Sequence, residues 1–213
     1  MLNRQPGTKK AFEITGALCG WFAVVSQFIL LIRLMPASPA ETVIRFFSFF
    51  TIEVNILVAC CFSLLAFGPQ TAPGRFFSTP QRLTALTVYI LIVGLVYNLV
   101  LRSLWNPAGL QRLTDEFLHT VIPLYFLLYW IYFVPKNKLR WKQALPWLIY
   151  PLIYLVYTLT RGAITGHYPY PFIDAKQLGY PKALTNAGWL SLLFLLFSLL
   201  IIGLGKGLNT RKE

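Results

Sequence analysis

Residues 115–134 read DEFLHTVIPLYFLLYWIYFV, and this stretch decides the fold. It has about the 20 residues that a helix needs to cross a bilayer, which predicts a membrane-spanning helix. His119 lies within it, and an ionisable side chain at membrane depth is costly enough to indicate a functional site. Pro123 has no N–H, so the carbonyl of His119 loses its helical partner and a kink is expected there. A membrane tolerates such a carbonyl only where protein or trapped water satisfies it, which predicts a buried polar pocket beside His119.

The whole chain has the composition of an integral membrane protein. Its 213 residues are 56% hydrophobic and 16% aromatic, and the mean hydropathy of +0.60 excludes a soluble or disordered protein. The predicted spans cover residues 11–34, 44–67, 83–104, 115–134, 144–163 and 186–205. Little sequence remains for a soluble domain. The prediction is an all-α integral membrane protein, with a single bundle of six transmembrane helices over residues 1–213.

The lysines and arginines behind the net charge of +12 are distributed in a way that indicates the orientation of the chain in the membrane. If the N-terminus is cytoplasmic, twelve of the 19 lysines and arginines fall in inside segments, as the positive-inside rule predicts. This distribution indicates contact with anionic lipid rather than a nucleic-acid partner. Both termini are therefore expected in the cytoplasm, in a multi-pass protein of the cell membrane, with a bacterial inner membrane favoured.

The three cysteines, Cys19, Cys60 and Cys61, all fall inside predicted spans. Their odd number and the lack of a C-x-x-C pair indicate small packing residues. Neither a disulfide framework nor a metal site is expected.

Polar side chains from four predicted spans fall at one depth. By the helical rise of 1.5 Å per residue, they lie roughly 7 to 10 Å below the outer ends of their spans: Thr51, Asn98, His119 and Tyr157. Arg102 and Arg161 lie nearer the outer rim, whereas the inner halves of the spans are nearly all apolar. Packing residues scattered along the spans would not be expected to lie at one depth. A site in the outer half of the membrane is therefore predicted.

These residue types suit acyl transfer. A hydroxyl nucleophile needs a base within hydrogen-bond reach, and the base needs an orienting group. Thr51, His119 and either Asp115 or Glu116 can fill these roles. An oxyanion needs donors, and arginines at the rim suit a carboxylate or phosphate. The candidates for substrate contacts are Asn55, Asn98, Arg102, Tyr157 and Arg161.

Each of these residues also has a structural interpretation. Thr51 can bond back to the carbonyl four residues earlier, and Asp115 or Glu116 can complement a helix N-terminus. Asn55 and Asn98 can hydrogen-bond between helices, and the arginines can extend toward lipid headgroups. The loop 165–185, rich in proline and tyrosine, is a candidate lid or an interfacial anchor.

Two segments carry a family resemblance: residues 49–55 (FFTIEVN) and 116–123 (EFLHTVIP). They resemble the family of the androgen-induced-gene and androgen-dependent TFPI-regulating proteins, which are six-span membrane threonine hydrolases acting on fatty acid esters of hydroxy fatty acids. The resemblance implies that Thr51 and His119 are the essential pair. Residues 97–102 (YNLVLR) and 167–172 (HYPYPF) resemble a bacterial branch of such six-span proteins.

The leading hypothesis is an intramembrane lipid esterase that needs no cofactor and whose partners are membrane lipids and a lipid ester. An alternative is a proton-coupled transporter or a lipid- or anion-binding protein, with Arg102, Arg161 and Glu53 at an anion site. A third is a b-type haem protein, for which His119 and His167 are the only histidines.

Overall fold

The computed structural model describes residues 6–34 and 38–210, and the chain is 86% helical, with no strand in that part. Six helices are long and apolar enough to cross a membrane: Pro6–Leu34, Phe50–Phe67, Pro80–Leu104, Gly109–Phe133, Trp141–Thr165 and Tyr180–Leu208. The predicted all-α membrane fold with six spans is confirmed. Residues 1–5 and 211–213 lie outside the described residues, so the cytoplasmic placement of the termini stays a prediction.

The helices group into two compact units, Met1–Lys138 and Leu139–Glu213. The first unit contains seven α-helices in the described residues: α1 (Pro6–Leu34), α2 (Pro39–Phe47), α3 (Phe50–Phe67), α4 (Ala72–Phe77), α5 (Pro80–Val96), α6 (Gly109–Glu116) and α7 (Ile122–Phe133). The second contains α8 (Ile149–Thr165), α9 (Ala175–Leu178) and α10 (Tyr180–Thr210). That all six spans form one bundle stays a prediction.

The second span begins at Phe50 rather than at residue 44. The Ser48 hydroxyl bonds back to the Ile44 carbonyl at 2.6 Å as α2 ends. Phe49 then adopts an extended conformation, with φ −87° and ψ 122°, which separates α2 from α3. Thr51 therefore lies in the first turn of α3, and the expected depth of roughly 10 Å along a continuous helix is wrong.

The third and fourth spans each contain one π-helical turn, Tyr97–Leu101 after α5 and Phe117–Val121 between α6 and α7. In these turns an N–H bonds to the carbonyl five residues earlier, as from Ile122 to Phe117. Single π turns inside α-helices are frequent at functional sites. The helix irregularity that Pro123 predicts is therefore a π turn, which is wider than an α-helical turn.

Glycines allow close approaches between helices in the first unit. A Cβ on Gly20 of α1 would lie 2.9 Å from the Cβ of Ala59 on α3. A Cβ on Gly94 of α5 would lie 2.8 Å from the carbonyl oxygen of His119. Small residues let membrane helices pack this closely without a side chain between them.

The loop predicted over 165–185 is largely structured. Gly166 ends α8 in the left-handed region, with φ 70°. A 3₁₀ turn covers Pro171–Ile173, and the Asp174 carboxylate caps α9 by accepting from two backbone N–H groups at 3.0 and 3.2 Å. Because α10 begins at Tyr180, the irregular part of this connection ends earlier than predicted.

Candidate functional site

Asp115 holds the imidazole of His119, which lies in the π turn of the fourth span. His119 is 9% exposed, and its Nδ1 lies 2.9 Å from the Asp115 carbonyl oxygen and 3.2 Å from Oδ1 of the same residue. A carbonyl oxygen can only accept, so Nδ1 carries the hydrogen and Nε2 of the neutral ring is an acceptor. Nε2 makes no hydrogen bond to any described residue. This is the tautomer that a general base requires.

Tyr97 of the third span contacts both Asp115 and His119. Its hydroxyl donates to Oδ2 of Asp115, and its ring stacks on the imidazole of His119 with centroids 3.7 Å apart and 13° between the planes. The indole Nε1–H of Trp105 donates to the same hydroxyl at 3.1 Å. The sequence signal for Tyr97 is its place beside Asn98 at the depth of the predicted site, but no spacing rule pairs it with Asp115.

Two consecutive carbonyls of the fourth span accept hydrogen bonds from asparagines on other helices. Ile122 N–H, the ordinary partner of Leu118, bonds to Phe117 instead, and Pro123 offers no N–H to His119. Asn55 Nδ2 donates to the Leu118 carbonyl at 3.3 Å, and Asn98 Nδ2 donates to the His119 carbonyl at 3.1 Å. Protein groups thus satisfy the His119 carbonyl, as predicted from Pro123.

In both asparagines, the two side-chain N–H groups donate to backbone carbonyls. The second proton of Asn55 goes to the Thr51 carbonyl and that of Asn98 to the Gly94 carbonyl, each at 2.8 Å. An amide NH₂ has two donors, so neither has one to spare for an oxyanion. These contacts favour a backbone-capping role. Asn55 is fully buried, and its Oδ1 has no hydrogen-bond partner among the residues that the structure describes, so it would meet a bound molecule as an acceptor.

Glu116 faces Arg102 rather than His119. The two side chains form a two-point ion pair with N–O distances of 2.7 and 2.8 Å, and the Thr120 hydroxyl donates to the same carboxylate at 2.9 Å. Both members of the pair are partly exposed. Of the two acids considered as the orienting group for His119, the geometry therefore selects Asp115.

Asn55 also links Thr51 to the π turn. Its amide bridges the carbonyls of Thr51 and Leu118, and Leu118 directly precedes His119. The half-buried Thr51 and the imidazole thus belong to adjoining turns of α3 and the fourth span. The described hydrogen bonds of the imidazole go to Asp115.

Tyr157 and Arg161 both lie on α8, in the second unit. Tyr157 is 39% exposed and Arg161 is buried. Their grouping with His119 around one substrate stays a prediction. In the same unit the ring of Tyr168 fills the space that a side chain on Gly162 would occupy. Burial and a hydrogen bond with Tyr180 raise the pKa of Tyr168.

A second polar cluster lies between the first and fourth spans, away from His119. Glu13 of α1 is 4% exposed and accepts a hydrogen bond from the Tyr129 hydroxyl at 2.7 Å. Lys9 lies 3.6 Å from the same carboxylate oxygen. Tyr129 follows His119 by about 15 Å along the helix, so this cluster is separate from the Asp115–His119 pair.

Metal ligands are not grouped in the part of the chain that the structure describes. No set of three or more His, Cys, Asp or Glu side chains there could hold a metal ion. Cys19, Cys60 and Cys61 are all free thiols.

The comparisons with known proteins add no relative. No family model, no curated protein and no solved structure matches this chain.

Proposed function

We propose that this protein is an intramembrane lipid esterase that hydrolyses fatty-acyl esters, such as fatty acid esters of hydroxy fatty acids. The observation that supports this most directly is the Asp115–His119 pair. Asp115 fixes the hydrogen on Nδ1 and leaves Nε2 as a base at a buried position of the fourth span. The resemblance of residues 49–55 and 116–123 to membrane threonine hydrolases supports the same class.

In the proposed reaction, His119 Nε2 takes the hydroxyl proton of Thr51 as the threonine oxygen attacks the ester carbonyl carbon. Asp115 stabilises the imidazolium that forms. The imidazolium then gives its proton to the alkoxide that leaves, which releases the alcohol and an acyl-threonine. Water, deprotonated by the same imidazole, attacks the acyl-threonine and regenerates Thr51 with release of the fatty acid.

The membrane setting suits a substrate with a long acyl chain. Six spans with exposed apolar faces make a multi-pass membrane protein. We place the site toward the outer leaflet of a bacterial inner membrane, following the positive-inside distribution of lysine and arginine.

The alternative of a proton-coupled transporter or anion-binding protein is less favoured by the contacts of Arg102. Its guanidinium is already engaged by both oxygens of Glu116, so an anion would have to displace an internal partner. An imidazole whose tautomer is fixed by a backbone carbonyl, with a buried carboxylate beside it, is the more direct match to acid–base catalysis.

Labelling with a fluorophosphonate probe and hydrolysis of a fatty acid ester of a hydroxy fatty acid test the proposal. The purified protein in detergent should react with the probe and hydrolyse the ester. Thr51→Ala and His119→Ala should each lower turnover by about a thousandfold. Size-exclusion chromatography should show that both variants remain folded.

Two substitutions serve as matched controls. Thr185→Ala removes an exposed helical threonine that bonds back to the Pro181 carbonyl, and His167→Ala removes the second histidine. Both should keep the turnover of the wild type. Retained turnover in Thr51→Ala would refute threonine as the nucleophile, and a folded wild type without labelling or hydrolysis would favour transport or lipid binding instead.

A further inference from the structure

We infer that Tyr97 is a positioning residue for the Asp115–His119 pair, with its hydroxyl fixing the carboxylate and its ring fixing the imidazole. The inference rests on the proposed function, because it assigns the group that prepares the base for proton transfer. Tyr97 is 5% exposed and begins the π turn of the third span.

The direction of each hydrogen bond follows from the chemistry of the partners. The indole Nε1–H of Trp105 can only donate, so the Tyr97 oxygen accepts from it. The single proton of the Tyr97 hydroxyl is then directed to Oδ2 of Asp115. Trp105 thus sets the direction in which Tyr97 donates.

The carboxylate is held at both of its oxygens. Oδ2 receives the Tyr97 hydroxyl, and Oδ1 lies 3.2 Å from Nδ1 of His119. With Oδ2 anchored, rotation of the carboxyl group is restricted, and Oδ1 stays directed at the imidazole. A hydrogen bond to a charged group contributes more than one between neutral groups, so this anchor has a measurable effect on catalysis.

The aromatic ring acts on the imidazole itself. A nearly parallel stack at 3.7 Å leaves the imidazole little freedom to turn about its bond to Cβ. The Arg102 guanidinium lies 5.4 Å from the Tyr97 ring centroid and adds a cation–π contact. The tyrosine therefore has two separable functions, and two substitutions distinguish them.

Tyr97→Phe removes the hydroxyl and keeps the stack, whereas Tyr97→Leu removes both. We expect Tyr97→Phe to lower kcat about 10- to 100-fold with KM unchanged, and Tyr97→Leu to lower it further. Tyr89→Phe, which removes a hydroxyl from a buried tyrosine on the same helix α5, should have the kcat of the wild type. A kcat for Tyr97→Phe equal to that of the wild type would overturn the inference.

A double-mutant cycle separates positioning from general loss of structure. If Tyr97 acts through the carboxylate, Tyr97→Phe should cause no further loss in the Asp115→Asn background. Additive losses would overturn the assignment. Trp105→Phe should weaken activity in the wild type and have no effect in the Tyr97→Phe background.

Nitrogen NMR of the imidazole gives a readout that does not depend on turnover. The chain has two histidines, so a His167→Ala protein labelled at histidine shows His119 alone. We expect one tautomer, with hydrogen on Nδ1, in both proteins, because the Asp115 carbonyl accepts that hydrogen. The chemical shift of Nδ1 should change after Tyr97→Phe, because Oδ1 of the anchored carboxylate lies 3.2 Å from the same nitrogen. If the wild type hydrolyses no ester, the proposed function fails while the NMR experiment still decides the inference. An unchanged Nδ1 chemical shift in Tyr97→Phe overturns the inference alone.

Discussion

The carbonyl oxygen of His119 lies against Gly94, 2.8 Å from the position that a Cβ on residue 94 would occupy. Atoms of the Pro123 ring lie 3.2 Å from the same position. Glycine here lets α5 approach the π turn of the fourth span closely. That approach brings Asn98, one turn further along, within hydrogen-bond distance of the His119 carbonyl.

Gly94→Ala should therefore destabilise the protein. The neighbours are a backbone carbonyl and a proline ring, which cannot turn aside, so we expect a loss of about 1–3 kcal/mol in the free energy of unfolding. Reversible unfolding in mixed detergent micelles measures it. Gly188→Ala is the control, because a Cβ there meets no atom within 4 Å; equal losses in the two variants would contradict the close-approach explanation.

Asn98→Ala should destabilise the protein by leaving the His119 carbonyl without its side-chain donor. The expected loss in unfolding free energy is about 1–3 kcal/mol, the cost of a buried polar group without a partner. Pro123→Ala restores a backbone N–H at the ordinary position for that carbonyl. The double variant Asn98→Ala/Pro123→Ala should lose less stability than Asn98→Ala alone. If the losses of the two single variants simply add, the His119 carbonyl is not the cause of the destabilisation in Asn98→Ala.

The two neighbouring acids should differ sharply in their effect on catalysis. Asp115→Asn should lower ester turnover by about a thousandfold or more, because it removes the negative charge that stabilises the imidazolium. Glu116→Gln weakens a partly exposed ion pair with Arg102 and should lower turnover less than about tenfold. Steady-state hydrolysis by both purified variants measures the difference, and the reverse order would reassign the orienting group.

Tyr129→Phe should destabilise the first unit. It removes the donor to the buried Glu13 carboxylate, and we expect a loss of about 1–3 kcal/mol in the free energy of unfolding. Tyr132→Phe, at an exposed position on α7, is the control and should leave stability unchanged. In a Glu13→Leu background Tyr129→Phe should have a smaller effect; a loss of undiminished size there would argue against the Glu13 contact.

The sequence predicts that six helices cross the membrane, and it predicts the contacts of the site that form within one helix. Apolar length predicts the six helices, and the spacing of Asp115 and His119 by four residues predicts their contact. Pro123 predicts that the His119 carbonyl needs a donor from elsewhere. Each of these inferences depends on a rule that operates within a single helix.

The remaining contacts join residues that are far apart in the sequence. Tyr97 reaches Asp115 across 18 positions, Asn55 reaches Leu118 across 63, and Tyr129 reaches Glu13 across 116. Their formation depends on how the helices are rotated against one another. The rotation changes at π turns and at the extended Phe49, which apolar length and helical periodicity do not reveal.

The π turn at Phe117–Val121 allows one residue to be lost from the fourth span without turning α7. Such a turn holds one residue more than an α-helical turn, and each α-helical residue corresponds to a rotation of about 100°. Removing Val121 would leave Ile122 four residues after Phe117, so that the bond between them becomes an ordinary α-helical bond. We therefore expect α7 to keep its orientation, with Tyr129 still facing Glu13, whereas a deletion within α7 would turn the rest of that helix by roughly 100°. The extra residue is accommodated within the turn that holds His119, and the contact between Glu13 and Tyr129 does not depend on it.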